Sequence, residues 1–230
     1  MHNVTVGMEF DVLKENNNIA NENYDMLKEH DVVAIDFMGS IGAGKTALII
    51  KLAEKLRAKG LRVHAIAGDV TGADDMTRMV KSGLTTTNCN TGKECHLDAN
   101  MVHRCLHGID LDSIDVLFIE NVGNLVCPAE FDVGADMKLM ILSVPEGDDK
   151  PLKYPLMFTV SDLMLINKID TAPIFDFDTE KCARHVRALN PDMEIFPLSA
   201  KTGEGFPPFI AKLEETILAA WANKGDGGAK

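Results

Sequence analysis

The feature that most constrains the fold of this chain is a glycine-rich stretch at residues 39–46, which reads Gly-Ser-Ile-Gly-Ala-Gly-Lys-Thr. It fits the pattern G-x4-G-K-[ST], and it lies between an apolar run and a helical pattern. In that context successive backbone N–H groups and the positive end of the following helix point at phosphate oxygens. We therefore reject the simpler interpretation, a glycine-rich connecting turn, and predict a phosphate-binding loop.

Residue types within this loop have separate expected roles. We expect Lys45 to reach the β- and γ-phosphates of a nucleotide, and Thr46 to place its hydroxyl on Mg²⁺. The nucleotide contacts predicted in and beside the loop are Gly39, Ser40, Gly42, Ala43, Gly44, Lys45, Thr46 and Ala47.

Short apolar runs alternate with helical patterns along the rest of the chain, which predicts an α/β P-loop NTPase fold with a mainly parallel central sheet and helices on both faces. We expect an N-terminal helical segment at 1–31 packing on a GTPase domain at 32–222, and a flexible, glycine-containing tail at 223–230. Strands are predicted at 32–37, 63–68, 116–120, 138–144, 163–167 and 195–198, and helices at 10–30, 45–59, 74–82, 98–107, 179–189 and 208–221.

Composition restricts the class of ligand. The 230 residues carry a formal net charge of −12, which disfavours a groove that neutralises the phosphates of DNA or RNA. About 18 apolar residues in succession, as a membrane span needs, occur nowhere in the sequence, and the start of the chain has no secretion-signal pattern. We expect a cytoplasmic protein. Its five cysteines, an odd number, favour reduced thiols and metal or redox use over a disulfide framework.

A second motif indicates which base is bound. Residues 167–170 read Asn-Lys-Ile-Asp and follow an apolar run, which places them at the carboxyl end of a strand, where open α/β folds bind ligands. The Asp170 carboxylate can accept N1–H and N2–H of guanine, a donor pair that adenine lacks. Guanine is therefore selected, with predicted contacts at Asn167, Lys168, Asp170, Ser199, Ala200 and Lys201.

Acidic residues at two strand ends are expected to complete the nucleotide site. Asp69 and Glu120 should face the γ-phosphate and hold Mg²⁺ directly or through water, and Asp69 could also orient the attacking water. Helix capping is the simpler alternative for both, and Asp74 and Asp75 are weaker candidates. Since no arginine is placed as a charge-stabilising finger, hydrolysis should be slow without a partner. The predicted catalytic residues are Lys45, Asp69 and Glu120.

Cys95, His96 and Cys127 form a candidate site for a soft transition metal. Cys127 lies seven positions after Glu120, in the segment that would respond to the γ-phosphate. Two thiolates and an imidazole suit Zn²⁺, Ni²⁺ or Cu, and a two-fold dimer is one way to complete the coordination. By spacing alone, buried free cysteines are an equally good interpretation.

Other polar clusters have simpler interpretations. His103 and His107 share one helix face and could bind a metal, but a solvated helix surface is the better prediction. The acidic run at 146–149 is interpreted as a solvated loop. Core or surface positions are expected for Cys89, Cys105 and Cys182, and the methionines are interpreted as core residues.

Five sequence segments resemble the hydrogenase nickel-incorporation GTPases, the HypB family, and the similarity extends from the phosphate loop to Lys201. The two cysteine-bearing segments are far more specific than the phosphate loop. The segments are Phe-Met-Gly-Ser-Ile-Gly-Ala-Gly-Lys-Thr at 37–46, Ala-Gly-Asp-Val at 67–70, Asn-Thr-Gly-Lys-Glu-Cys-His-Leu-Asp-Ala at 90–99, Phe-Ile-Glu-Asn-Val-Gly-Asn-Leu-Val-Cys-Pro at 118–128 and Asn-Lys-Ile-Asp at 167–170.

The resemblance implies a nucleotide-gated metallochaperone that forms a homodimer with GTP and helps to load Ni²⁺ into the large subunit of nickel-iron hydrogenase. Cys95, His96 and Cys127 match the family's metal-binding positions between protomers, where Zn²⁺ is an alternative occupant. The implied partners are the hydrogenase large-subunit precursor and a small zinc-containing accessory protein. Residues 1–31 contain neither the cysteine motif nor the histidine-rich stretch of some members, so we expect no nickel storage there.

Three rival functions remain open at this point. The urease nickel-delivery GTPases carry a Cys-Pro-His triplet, whereas Cys127-Pro128 is followed here by Ala129. A regulatory G protein with a purely structural zinc would exchange metal equally with GTP and GDP. A phosphotransferase kinase would use the same loop to bind ATP in preference to GTP.

Overall fold

The structure, a computed structural model, describes residues 5–70 and 72–225. Within them seven strands form a single sheet in which every neighbouring pair is parallel. The strands are β1 Val33–Gly39, β2 Val63–Asp69, β3 Thr85–Asn90, β4 Val116–Glu120, β5 Met137–Ser143, β6 Leu163–Asn167 and β7 Glu194–Pro197. Their order is β3-β2-β4-β1-β5-β6-β7, which confirms the predicted parallel α/β architecture.

Helices cover both faces of the sheet. None of the helices in the described part of the chain combines the length and apolar character that crossing a bilayer requires. The helix at the carboxyl end continues to Gly225, three residues into the predicted tail, and 226–230 lie outside the described residues. The helices are α1 Thr5–Glu29, α2 Lys45–Ala58, α3 Asp74–Lys81, α4 Ala99–Leu106, α5 Cys127–Glu130, α6 Lys150–Lys153, α7 Pro155–Val160, α8 Ala172–Phe175, α9 Thr179–Leu189 and α10 Phe206–Gly225.

The central strand β1 is buried along its whole length and separates two apolar layers. Ile35 and Phe37 belong to a cluster shared with α2 and α10, whereas Ala34 and Met38 belong to clusters on the opposite face. A strand covered on both sides reads as a near-continuous apolar run, interrupted in β1 by Asp36, and this run allowed the strand to be predicted from the sequence.

Strand β3 was missing from the prediction, which left residues 83–97 as a loop. Its sequence, Thr-Thr-Thr-Asn-Cys-Asn, is polar, and its burial is intermittent because it lies at the edge of the sheet beside β2. The β-branched threonines nonetheless suit a strand whose outer side faces water. This strand positions the site, because the loop carrying Cys95 and His96 leaves from its carboxyl end.

The N-terminal helix α1 packs on α4 through buried asparagines instead of a purely apolar stripe. Asn16 donates to the carbonyl of Asp132 and accepts from the amide of Ala99, both at 2.8 Å. Asn16 thus satisfies backbone groups of two neighbouring segments.

Candidate functional site

The phosphate loop joins β1 to α2 at the carboxyl edge of the sheet. Gly44 has a φ of 99°, and a Cβ there would overlap the Asn167 side-chain amide, so glycine is required for two separate reasons. Lys45 is buried, and its Nζ donates to the carbonyl oxygens of Gly39 and Ser40, both at 3.2 Å. Burial lowers the pKa of Lys45, while the nearby carboxylates of Glu120 and Asp75 oppose that shift.

Three oxygen-bearing side chains meet beside this loop. The Thr46 hydroxyl lies 2.7 Å from Asp75 Oδ1 and 2.8 Å from Glu120 Oε1, although it can donate its one hydrogen to only one of them at a time. Glu120 Oε2 is buried and has no hydrogen-bond partner among the described residues. Burial also raises the pKa of Glu120 to about 7. An oxygen-rich cluster with an unsatisfied carboxylate atom suits a hard cation such as Mg²⁺.

Asp69 lines the same cavity, which has a volume of about 410 Å³ and also includes Thr46, Asp75 and Glu120. No hydrogen bond joins the Asp69 carboxylate to Thr46 in the described residues, and the Asp69 carbonyl accepts from the amide of Thr91 at 2.9 Å. The structure thus brings Asp75, which the sequence ranked lower, against Thr46. The sequence signal that could have identified Asp75 is its position in the first turn of α3, close to the end of β2.

Asp36 and Asn121 form a buried polar pair behind the phosphate loop. Asn121 Nδ2 donates to the two carboxylate oxygens of Asp36 at 3.2 and 3.3 Å. Its Oδ1 accepts from the amides of Leu97 at 3.1 Å and Val122 at 3.0 Å. One side chain therefore joins β1, the loop after β4 and the segment that follows His96. Sequence reasoning did not identify either residue of this pair.

Replacing Asp36 with asparagine is expected to change how stability depends on pH. Burial raises the pKa of Asp36 from 3.8 to about 7. Between these values the unfolded chain releases this proton while the folded chain keeps it, so the unchanged protein loses stability as pH rises. The asparagine variant has no such proton to lose. Its free energy of unfolding minus that of the unchanged protein should therefore increase by a few kcal/mol as pH rises, at about 1.4 kcal/mol per pKa unit.

Urea unfolding of both nucleotide-free proteins at several pH values between 4.5 and 7.5 measures this difference. Asp192→Asn, at an exposed position, is the matched control and should give a flat difference. A flat difference for Asp36→Asn as well would mean that the buried carboxyl is already ionised in this range.

Asn167, at the end of β6, forms hydrogen bonds with three loops. Its Nδ2 donates to the carbonyl of Ala43 at 2.9 Å, and its Oδ1 accepts from the amides of Lys168 at 2.8 Å and Ala200 at 3.0 Å. Because Asn167 is buried, these contacts hold the phosphate loop next to the two segments predicted to contact the base.

A cavity of about 300 Å³ opens beside Asn167, and five of the six residues predicted to bind guanine line it, the exception being the buried Ser199. Asp170 accepts a hydrogen bond from the Ser199 hydroxyl at 2.7 Å, and Lys168 Nζ donates to the carbonyl of Gly42 at 2.5 Å. A carboxylate fixed in orientation at the rim of a cavity is suited to accept paired N–H donors from a base. The cavity is lined by Gly44, Ala47, Asn167, Lys168, Asp170, Thr171, Ala200 and Lys201.

Cys95, His96 and Cys127 come together although 32 positions separate the two cysteines. One ligand atom from each residue can be chosen so that all three lie within 4.8 Å of one another, and the two sulfur atoms are 2.9 Å apart. Cys95 is exposed, whereas the ring of His96 is buried and stacks on Phe131 with a centroid distance of 4.0 Å. This donor set is suited to a soft or borderline transition metal.

Electrostatics around this cluster favour neutral groups when no cation is present. Burial and the neighbouring Cys95 raise the pKa of Cys127. Burial lowers the pKa of His96, so its imidazole is favoured in the neutral form that binds metals. Because two adjacent thiolates repel each other, a bound cation would promote their deprotonation, and metal binding should release protons.

Short contacts link the cysteine cluster to the phosphate loop. Asn124 forms an antiparallel backbone bridge with Gly39, and its Nδ2 donates to the carbonyl of Cys95 at 3.2 Å. Gly123 packs so closely on Ile41 that a Cβ would lie 2.8 Å from the Ile41 amide nitrogen. A shift of the phosphate loop would therefore displace Cys95, and also Cys127, which lies three residues beyond Asn124.

The remaining predicted polar groups lie outside this site, with the exception of Glu146. Cys89 and Cys182 are buried, as expected for core thiols. The acidic run at 146–149 was interpreted as a solvated loop, but two of its carboxylates have side-chain partners. Glu146 contacts Ser40, and Asp148 pairs with Lys181 at 2.8 Å. Glu146 thus supports the phosphate loop from the side of β5.

Comparisons with known proteins agree with this geometry. Residues 33–197 match the family model described as CobW/HypB/UreG, nucleotide-binding domain. The chain is 46% identical over 207 residues to the probable hydrogenase maturation factor HypB of Methanocaldococcus jannaschii, covering 90% of this chain and 93% of that protein. The crystal structure of Helicobacter pylori HypB in complex with nickel has a TM-score of 0.85 at 34% identity, covering 90% of this chain and 97% of that one. The crystal structure of the hydrogenase maturation factor HypB from Archaeoglobus fulgidus has a TM-score of 0.82 at 39% identity, covering 89% and 99%.

Proposed function

This chain belongs to the HypB family of hydrogenase maturation factors, which are P-loop GTPases, and from that premise we propose that it is a GTP-hydrolysing nickel metallochaperone. In this proposal it assists the insertion of nickel into nickel-iron hydrogenase, and GTP promotes its dimerisation. The observation that carries the proposal is the contact of Asn124 with both Gly39 and Cys95, which joins the phosphate loop to the soft-metal ligands.

Nucleotide handling follows from the groups around the phosphate loop. With GTP bound, Lys45 Nζ exchanges its present carbonyl partners for phosphate oxygens. Thr46, Asp75 and Glu120 would hold Mg²⁺, which supplies charge neutralisation to the phosphates when bound. Asp69, which lines the same cavity, would orient the attacking water. Asp170 selects guanine by accepting two base N–H groups.

Metal handling follows from the chemistry of the cysteine cluster. Cys95, His96 and Cys127 provide three ligands for Ni²⁺, with Zn²⁺ as a competitor that the same donors accept. Three ligands leave a tetrahedral or square-planar ion incompletely coordinated. Since Cys95 is exposed, a second copy of the chain can supply the missing ligand across a two-fold axis. Hydrolysis of GTP then loosens the loops and favours metal release.

The remaining elements of this function come from the family resemblance. The proposed partners are the hydrogenase large-subunit precursor and a small zinc-containing accessory protein. The proposed compartment is the cytoplasm, because a metal site built from Cys95 and Cys127 requires reduced thiols.

Nickel titration of the full chain, loaded with GDP or with a non-hydrolysable GTP analogue, tests this function directly. We expect the analogue to change the nickel affinity and to shift the protein from monomer to dimer by analytical ultracentrifugation. Metal content of the separated species should show nickel associated with the dimer. Metal release measured after single-turnover GTP hydrolysis should follow phosphate formation.

The rival functions give different results in the same measurements. Equal nickel and zinc affinities and equal exchange rates with GDP and the GTP analogue would indicate a regulatory G protein with a structural metal. Preference for ATP over GTP would indicate a phosphotransferase. Either result would overturn the proposal.

Asp170→Asn is expected to change the base that this protein binds. The asparagine amide offers an N–H where guanine needs an acceptor, so GTP affinity should fall about 100-fold or more, as expected when charged hydrogen bonds are lost. The same amide can donate to the C2 carbonyl of xanthine, so xanthosine triphosphate should bind better than GTP. Competition against a fluorescent guanine nucleotide measures both affinities.

Asp176→Asn is the matched control, because Asp176 is an exposed carboxyl close in sequence and its left-handed backbone, with φ 49°, tolerates asparagine. This control should keep the preference for GTP. An Asp170→Asn variant with unchanged GTP affinity would remove Asp170 from the base site.

A further inference from the structure

Helix α4 carries a pair of imidazoles that takes no part in the site described above. His103 and His107 stand one helical turn apart, and their Nε2 atoms are 3.1 Å from each other. The two rings meet edge to face, with a centroid distance of 4.6 Å and an interplanar angle of 87°. The sequence favoured a solvated helix surface for this pair, but His103 is half-buried and its ring is hydrogen-bonded to a residue of α1.

A buried asparagine of α1 fixes the tautomer of His103. Asn23 Nδ2 donates both of its hydrogens, to the carbonyls of Ala99 at 2.8 Å and Val133 at 3.1 Å. Its Oδ1 can therefore only accept, and it accepts from Nδ1–H of His103 at 2.8 Å. A neutral imidazole protonated at Nδ1 has its lone pair on Nε2, which is the atom that faces His107.

This arrangement matches the one that surrounds histidine ligands of metals. Such histidines commonly donate their other ring N–H to a fixed oxygen, which orients the ring and selects the tautomer. Two nitrogen ligands about 2.0–2.1 Å from an ion, at angles of about 90–109°, lie about 2.8–3.4 Å apart. The observed Nε2 separation of 3.1 Å falls within this interval, so little rearrangement is needed.

We propose that His103 and His107 form a second binding site for a borderline divalent transition metal such as Ni²⁺, Zn²⁺ or Cu²⁺. His107 transfers its Nε2 proton to Nδ1 on binding, and water completes the coordination on the exposed side. The site is independent of nucleotide, because Asn23 anchors His103 to α1, Ala99 and Val133 and not to the phosphate loop. It extends the proposed function without depending on it.

Nickel binding by a full-length Cys95→Ala, Cys127→Ala double variant tests this site in isolation. Calorimetric titration should detect one Ni²⁺ per chain, with affinities that agree within about twofold for GDP and a non-hydrolysable GTP analogue. Absorption should show no thiolate-to-nickel charge transfer, since the ligands are nitrogen atoms. Adding His107→Gln, which changes an exposed side chain, should weaken binding at least about tenfold.

The matched control in the same background is His185→Gln, which removes a single histidine from α9 and should leave nickel binding unchanged. His103→Gln should weaken binding as His107→Gln does, with circular dichroism reporting the fold. Absence of nickel binding in the double variant, or unchanged affinity after His107→Gln, would overturn the proposal. Failure of the chaperone function would appear separately, as a missing nucleotide effect on metal bound by the protein with its cysteines intact.

Discussion

Replacing Lys45 with alanine is expected to slow GTP hydrolysis by about 10²–10³-fold, the range found when one preorganised charge-stabilising donor is removed. Nζ of Lys45 lies 3.2 Å from the carbonyl oxygens of Gly39 and Ser40, inside the loop that holds the phosphates. Negative charge spreads over the phosphoryl oxygens during transfer, so loss of this ammonium raises the barrier. Single-turnover hydrolysis at saturating protein measures the chemical step without product release.

This variant should remain folded, because the nucleotide-free protein holds the Lys45 ammonium at a desolvation cost. Burial lowers the pKa of Lys45, which means that the folded state disfavours its charge. The thermal midpoint without nucleotide should therefore not fall. Lys51→Ala is the matched control, since Lys51 lies on the same helix with its Nζ 5.9 Å from the centroid of the Phe206 ring. Hydrolysis by Lys45→Ala within threefold of the unchanged protein would remove Lys45 from catalysis.

The strands of this fold were predictable wherever the sheet is covered on both faces. β4 and β6 were predicted at their observed bounds, 116–120 and 163–167, because each is apolar at its first four positions, as expected of a parallel strand buried on both faces. β3 escaped prediction because an edge strand needs an apolar side chain on one face at most, and residues 85–90 are mostly threonine and asparagine. Local pattern therefore reports burial more directly than it reports strand pairing.

The site was predictable where a motif fixes both residue type and spacing. Four segments could each be recognised from their local sequence alone: the phosphate loop, the segment at 167–170 and the two cysteine segments. Asp75 could not be ranked above Asp69 in this way, because its contact with Thr46 depends on the direction in which α3 leaves the sheet. That direction is a property of helix packing, which no short pattern encodes.

Amide side chains were the residues that sequence reasoning missed most completely. Asn121 bonds Asp36 across 85 positions, and Asn124 contacts Cys95 across 29. Asparagine has no strong preference for buried positions, so its role appears only when the partners are known. These two residues nevertheless form the physical connection between the phosphate loop and the metal ligands.

Cys127→Ala is expected to weaken nickel binding at least about 100-fold, since removal even of a group that supports a metal ligand costs 10- to 100-fold. Sγ of Cys127 lies 2.9 Å from that of Cys95, so one thiolate and the imidazole of His96 would remain. The difference in affinity between the GDP and GTP-analogue forms should disappear as well. GTP hydrolysis should persist, because among the described residues Cys127 makes no hydrogen bond to the groups assigned to phosphate binding.

A second variant, Asn124→Ala, separates the loss of a metal ligand from the loss of the connection between the metal site and the phosphate loop. Asn124 supplies no metal ligand, but its side chain bonds the Cys95 carbonyl while its backbone pairs with Gly39. Nickel affinity in the GDP form should therefore survive in Asn124→Ala while the response to GTP shrinks. Cys182→Ala, at a buried cysteine outside the cluster, controls for thiol loss and should change neither quantity. If Cys127→Ala kept the full nucleotide dependence of nickel binding, phosphate sensing and metal ligation would be independent properties of this chain.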